Sequence, residues 1–234
     1  MHRSVAVPLT TTVAVVAAAA PAQAINAPRP VVVAMVGVAA VNAVVSAVRG
    51  VYDITCSRGL IALIVDSTWA LVMTAAAVVA HGVAAATAVM GRSPGFDATA
   101  SRGSTMHIYR RGLVVRGGYA ITLGNVVSGA GDMSVQSRHA LVWDHERVHV
   151  AQARWWGPAY PVLYLSWMLW GTVRAGVCWV ASGGRGGWSA LVRGVDTAAY
   201  LRNPFERQAY RIAAQRAAQR DGVTSSPAGR TSPG

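Results

Sequence analysis

Up to Met90 the chain alternates long apolar runs with short polar connectors, and beyond it the balance reverses. An apolar run from Val5 to Ala20 follows Met1-His2-Arg3 and precedes Ala22-Gln23-Ala24. A basic start, a short apolar core and an Ala-x-Ala site mark a secretory signal peptide, and the same run suits a first membrane helix equally well. Residues 1–25 are therefore expected to be a signal peptide or first membrane anchor. Val31 to Val48 is apolar apart from Asn42 and Ser46, is long enough to span a bilayer core, and is closed by Arg49. Leu60 to Met90 is too long for one plain span. Asp66-Ser67-Thr68 is placed to cap a helix running from Ala70 to Met90. Asp66 and His81 are ionisable groups at or near membrane depth, which points to function; a cap at one interface and a histidine at the other is the simpler expectation. Residues 26–90 thus read as membrane helices.

From Gly91 the segments shorten. Thr105 to Tyr109, Leu113 to Val115 and Tyr119 to Leu123 have strand character, with turns at Arg111-Gly112 and Gly117-Gly118. They predict a small antiparallel β meander. Ser137 to Trp156 predicts a helix stopped by Gly157-Pro158. Ala159 to Ala181 is apolar but carries Arg174, and Ser182 to Gly187 is a Gly-rich link. Asn203 to Arg220 predicts a basic amphipathic helix, and residues 221–234 a disordered tail. The expected fold class is a mainly α membrane protein with a small β meander, in which residues 91–220 form an α+β metal-site domain.

Composition sharpens this picture. The chain of 234 residues is 53% hydrophobic and only 13% charged, about half the usual charged share, which indicates lipid contact. Its net charge of +12 comes entirely from arginine, without lysine. With abundant Ala, Val and Gly, this fits a coding bias, and no nucleic-acid-binding motif accompanies it. Arginines flanking apolar segments suit membrane lipids as partners, with no nucleic acid. Cys56 and Cys178 do not make a disulfide framework or a zinc ribbon, and small buried residues are expected there.

The candidate chemistry lies in His145-Glu146-Arg147-Val148-His149. On a helix, positions i and i+4 share a face, so both imidazoles reach one zinc ion. Glu146 sits about 100° round the helix. It is placed to take a proton from water that the metal activates at neutral pH. A catalytic zinc has three protein ligands and an open position. Glu206 and Asp196 are the downstream candidates. Glu206 is favoured, although Asn203 as N-cap and Pro204 at N1 put Glu206 at N3, where it could merely complete a capping box.

Four stretches carry a resemblance. They are Gly118 to Val127, His145 to Arg154, Gly157-Pro158-Ala159-Tyr160, and Asn203-Pro204-Phe205-Glu206. Together they resemble a group of uncharacterised bacterial membrane proteins sharing His-Glu-x-x-His-x-x-Gln, then Trp-Gly-Pro or Phe-Gly-Pro, and a late Asn-Pro-Phe-Glu. The likeness runs from about Asp66 to Tyr210. It implies a zincin-like, gluzincin-type fold with Glu206 as third ligand, and it brings no substrate. Gln208 stands where some relatives carry an acid.

Three ligands on one side of the membrane require that Ala159 to Ala181 does not cross it once. An in-plane or re-entrant element is expected. The reading is a membrane-associated zinc metallopeptidase in the cell membrane, multi-pass or anchored. Its metal ligands are His145, His149 and Glu206, its base is Glu146, and its substrate is a peptide or protein. A strand over Tyr119 to Val127 would offer an edge to that substrate. The alternative is a non-enzymatic membrane protein. It would have no metal, or a structural zinc closed by His139, Asp144 or Gln152.

Overall fold

The computed structural model describes residues 3–114 and 117–224. Helices α1 (Arg3–Ala24) and α2 (Arg29–Arg49) form an antiparallel hairpin. Ala14 and Ala18 of α1 and Ala39 and Ala43 of α2 are fully buried where they meet. Side chains this small let two backbones approach closely, which is how apolar helices associate without a hydrophobic driving force. The long run from Leu60 breaks into α3 (Ser57–Ser67) and α4 (Leu71–Val89). Among the described residues, three helices are long and apolar enough to cross a membrane: Val5–Ala24, Arg29–Arg49 and Leu71–Val89.

Asp66 does not cap α4. The α4 N-cap position is Ala70, without a side-chain cap. Asp66 instead lies buried at the end of α3 and receives Arg154, with Nε to Oδ1 at 2.9 Å and Nη2 to Oδ2 at 2.7 Å. The Tyr52 hydroxyl donates to the same carboxylate at 2.5 Å. Thr105 accepts the remaining Arg154 donors through its Oγ1 and its carbonyl oxygen. His81 is buried on α4 and bonds the Tyr109 hydroxyl at 2.9 Å. Polar groups removed from water cost least when hydrogen-bonded, and these ties join the apolar helices to the rest of the chain. Cys56 and Cys178 are exposed and free, contrary to the expected burial.

After the short α5 (Ala98–Ser101), three strands form one sheet: β1 (His107–Tyr109), β2 (Ile121–Leu123) and β3 (Val126–Ser128). The sheet is not a meander. Its order is β1-β3-β2, with β1 parallel and β2 antiparallel to β3. Leu113 and Val114 are not in a strand, and Val115 lies outside the described residues. The expected strand at Tyr119–Val127 is instead a hairpin, β2 and β3 joined at Gly124-Asn125. Asn125 Nδ2 donates to Asn42 Oδ1 at 3.0 Å and to Tyr52 Oη at 2.7 Å, fastening the hairpin tip to α2.

The motif helix is a composite of α6 (Gln136–Ala140), a π-helical segment (Leu141–Glu146) and α7 (Arg147–Trp156). It ends at Gly157, whose φ of 53° and ψ of −128° favour glycine. A Cβ there would also lie 2.4 Å from the Trp69 ring. Next, α8 (Ala159–Ala181) is one unbroken helix of 23 residues, about 34 Å long. The chain turns at 182–186 and returns through α9 (Gly187–Val195) and a second π-helical segment (Asp196–Leu201). Both pack back on α8. Gly171 lies so close to the returning chain that a Cβ would sit 2.5 Å from the Ala198 carbonyl oxygen. The excursion therefore ends near where it began, and α10 (Pro204–Thr224) starts beside α7. The expected tail begins inside α10, and residues 225–234 lie outside the described residues.

Candidate metal centre

His145 is the last residue but one of the π segment and His149 lies in the first turn of α7, so the helix presents both imidazoles together. Their ring centroids are 4.9 Å apart. Glu206 arrives from the first turn of α10. Asn203 is buried and its Oδ1 accepts the Phe205 N–H at 3.0 Å, while the Asn203 N–H bonds Tyr200. Asn203 thus caps the helix itself. Glu206 makes no capping-box bond back to it, and its carboxylate faces the histidines.

The three side chains form a buried group that can hold a metal ion. His145 Nε2 and His149 Nε2 are 3.3 Å apart. His145 Nε2 lies 3.4 Å from Glu206 Oε2, and His149 Nε2 lies 3.4 Å from Glu206 Oε1. A tetrahedral ion with bonds of about 2.0–2.1 Å sets its ligand atoms about 3.3–3.4 Å apart. Charge-assisted hydrogen bonds would be shorter, at about 2.7–2.9 Å. Glu206 Oε2 is buried with no hydrogen-bond partner, as an atom reserved for a metal would be.

Neighbouring groups hold the ligands in place. Gln152 Nε2 donates to the Phe205 carbonyl at 3.0 Å and to Gln208 Oε1 at 2.9 Å. That orientation turns Gln152 Oε1 toward His149 Nδ1, 2.8 Å away. His149 therefore carries its proton on Nδ1 and offers the Nε2 lone pair, the usual arrangement of a metal-ligating histidine. The Tyr164 hydroxyl donates to Glu206 Oε1 at 2.7 Å, and the Tyr210 ring centroid lies 4.5 Å from that of His145. Burial works against the Glu206 charge. The two imidazoles and Tyr164 outweigh it, and the carboxyl is held well below the usual carboxylate range. Burial likewise opposes a proton on His149, but the carboxylates of Glu206 and Glu146 raise its pKa above the ordinary value.

Glu146 is buried beside the ligands but outside the group. Its Oε2 accepts the Thr122 hydroxyl of β2 at 2.6 Å. Glu146, His149 and Glu206 all line a cleft of about 620 Å³ that also includes Asp196. Asp196, the other candidate third ligand, lines this cleft without joining the group. Among the described residues no fourth ligand completes it. His139 is exposed, Asp144 pairs with Arg220 at 2.7 Å, and Gln152 is occupied by His149 and α10.

Sequence reasoning did not find the roles of Thr122 or Tyr164, nor the π segment under the motif, and it named Gln208 only as standing where some relatives carry an acid. The Tyr160/Tyr164 pair directly after Gly157-Pro158, one turn apart, was the available signal for the Glu206 partner. The π segment has a visible cause: Arg216 of α10 donates to the Trp143 carbonyl at 2.7 Å and to that of Asp144 at 3.3 Å, inside the widened turn. Comparison with family models, with curated proteins and with solved structures gives no match, so the site is read from its own geometry.

Proposed function

We propose that this chain is a zinc metallopeptidase of the cell membrane, with a zincin-like metal-site domain, that hydrolyses peptide bonds with Glu146 as general base. The observation that carries this reading is the trio of ligand atoms at tetrahedral spacing, with a carboxylate beside them that is not a ligand. Two imidazoles and one carboxylate, with no fourth ligand among the described residues, match the donor set of catalytic zinc sites. Zinc bound there would polarise the scissile carbonyl and supply a nucleophilic water at neutral pH.

The chain's own groups would do the rest. Glu146 accepts the proton released in the attack and returns it to the departing amine. Thr122 holds one Glu146 oxygen, leaving the other for that proton. Gln152 keeps the His149 lone pair on Nε2, and Tyr164 orients Glu206. β2 is one of the two outer strands of the sheet and lines the cleft, and strand addition to its edge would hold an extended peptide.

Elemental analysis of the purified protein is expected to find about one zinc per chain, absent from His145→Ala and His149→Ala. Glu146→Gln is expected to keep the zinc and to slow cleavage of a quenched-peptide mixture about 10²–10⁴-fold, since an amide is no general base. Equal zinc in wild type and both histidine variants sinks the metal centre. A wild-type rate in Glu146→Gln sinks the base assignment.

A further inference from the structure

We infer that the substrate is an apolar peptide segment that reaches the site from within the bilayer, passing between the start of α4 and the start of α8; this rests on the hydrolytic reading above. Two walls of the cleft are apolar. Met73 and Ala76 form one, on the first turns of α4, a helix apolar enough to cross a membrane. Pro161, Leu165 and Met168 form the other. Their i, i+4, i+7 spacing puts them on one face of α8. The seven helical steps from Pro161 to Met168 make a wall about 10 Å long, which matches about three residues of extended chain. Among the described residues, Glu146, Asp196 and Glu206 are the acidic groups along the cleft and no arginine lines it.

The surroundings place this cleft against lipid. Exposed Trp69 and Trp155 stand together just before α4, with Trp69 Nε1 donating to the Trp155 carbonyl at 3.1 Å. Tryptophans with an apolar body and a bonded N–H sit at the headgroup level. Met73 is one turn further along α4 from Trp69, hence on the apolar side of that level. Past the cleft, α8 goes on exposing Leu169, Trp170, Val173 and Val177. A polar peptide would have to cross this apolar skin, whereas a membrane-inserted segment meets the cleft directly. Such a segment must unwind to be cut, and backbone groups freed inside a bilayer need new partners. The outer strand β2 offers them along the same cleft.

The test uses the full zinc-loaded chain in phosphatidylglycerol/phosphatidylcholine vesicles, with Glu146→Gln carrying a photo-crosslinking side chain at Met168. Two labelled peptides of equal length are offered together: one Leu/Ala-rich and vesicle-inserted, one Gly/Ser/Glu-rich and soluble. The inserted peptide is expected to crosslink at least about tenfold more, a difference of about 1.4 kcal/mol. Ala76→Phe, which fills the opposite wall, is expected to remove that signal while zinc content stays at the wild-type level. Wild type is expected to cleave the inserted peptide. Equal or preferential crosslinking of the soluble peptide, no crosslinking of either, or indifference to Ala76→Phe overturns the inference. Cleavage of the soluble peptide alone also overturns it and leaves the hydrolytic reading in place. Crosslinking of the inserted peptide without cleavage overturns the hydrolytic reading and leaves the docking of an apolar segment standing.

Discussion

Two buried polar clusters flank α7, and they are built on opposite plans. Around Arg154, donors meet acceptors: the guanidinium donates to both Asp66 oxygens and to Thr105, and Tyr52 donates to Asp66. Around His149, acceptors meet acceptors. Two imidazole nitrogens and a carboxylate converge at 3.3–3.4 Å, with Glu206 Oε2 unpartnered. The first cluster is complete as it stands and holds α3 to α7. The second has the donors missing from its centre, a gap that a metal ion can fill. The sign of what is lacking separates a structural network from a binding site more reliably than burial, which both share.

The largest effect should come from breaking the complete cluster. Asp66→Ala leaves the Arg154 charge buried without its partner. A loss of about 3–5 kcal/mol is expected in denaturant unfolding in detergent. His145→Ala in metal-free protein removes one of several converging acceptors. It should cost far less, and a comparable loss would erase the contrast. Next in size is Glu206→Ala, which should weaken zinc binding by about two orders of magnitude or more in a chelator competition. Because Asn203 already caps α10, that loss of zinc affinity would not come from uncapping the helix. Unchanged zinc affinity in Glu206→Ala would remove the third ligand.

Smaller again are the groups that orient the ligands. Gln152→Ala and Tyr164→Phe are each expected to lower zinc affinity about 10–100-fold without abolishing it. The smallest effect is on pH dependence. In metal-free protein, the raised His149 pKa contributes stability fully below the ordinary 6.5, and this is lost as pH rises through the folded value. The lowered Glu206 pKa contributes above the ordinary 4.5, and this is lost as pH falls through the folded value. A proton on His149 competes with zinc, so the zinc-dependent gain in stability should fall at acid pH and grow as pH rises through the folded His149 value. A zinc gain that is flat from pH 5 to 8 would separate these groups from the metal.

What the sequence revealed was chemistry tied to local spacing. His145 and His149 are one turn apart, and Asn203-Pro204 fixes where Glu206 begins its helix, so these three were legible before any fold was known. The apolar runs were legible for the same reason, since length and composition suffice for them. Partnerships formed across distance were not. Asp66 reads as a cap from its neighbours, but its partner Arg154 is 88 residues away. The strands at β1 and β2 have the right local character, yet β3 inserts between them, and pairing order is decided by what the hairpin tip can reach on α2. Thr122 and Tyr164 were invisible because each is defined by the carboxylate it contacts.

The π segment under the motif has a consequence in the language of insertions. Its wide turn holds about one residue more than an α turn. Everything before Leu141 is therefore rotated by about 100° relative to the ligands after it. Arg138 lies on the rotated side and donates to the Gly118 carbonyl at 2.9 Å, next to Tyr119 on the cleft. Deleting Val142 would return the helix to regular phase, keep the His145–His149 spacing, and swing Arg138 off Gly118. The motif and the rim of its cleft are thus geared separately. A single-codon insertion or deletion, rather than a substitution, is the change that re-times one against the other.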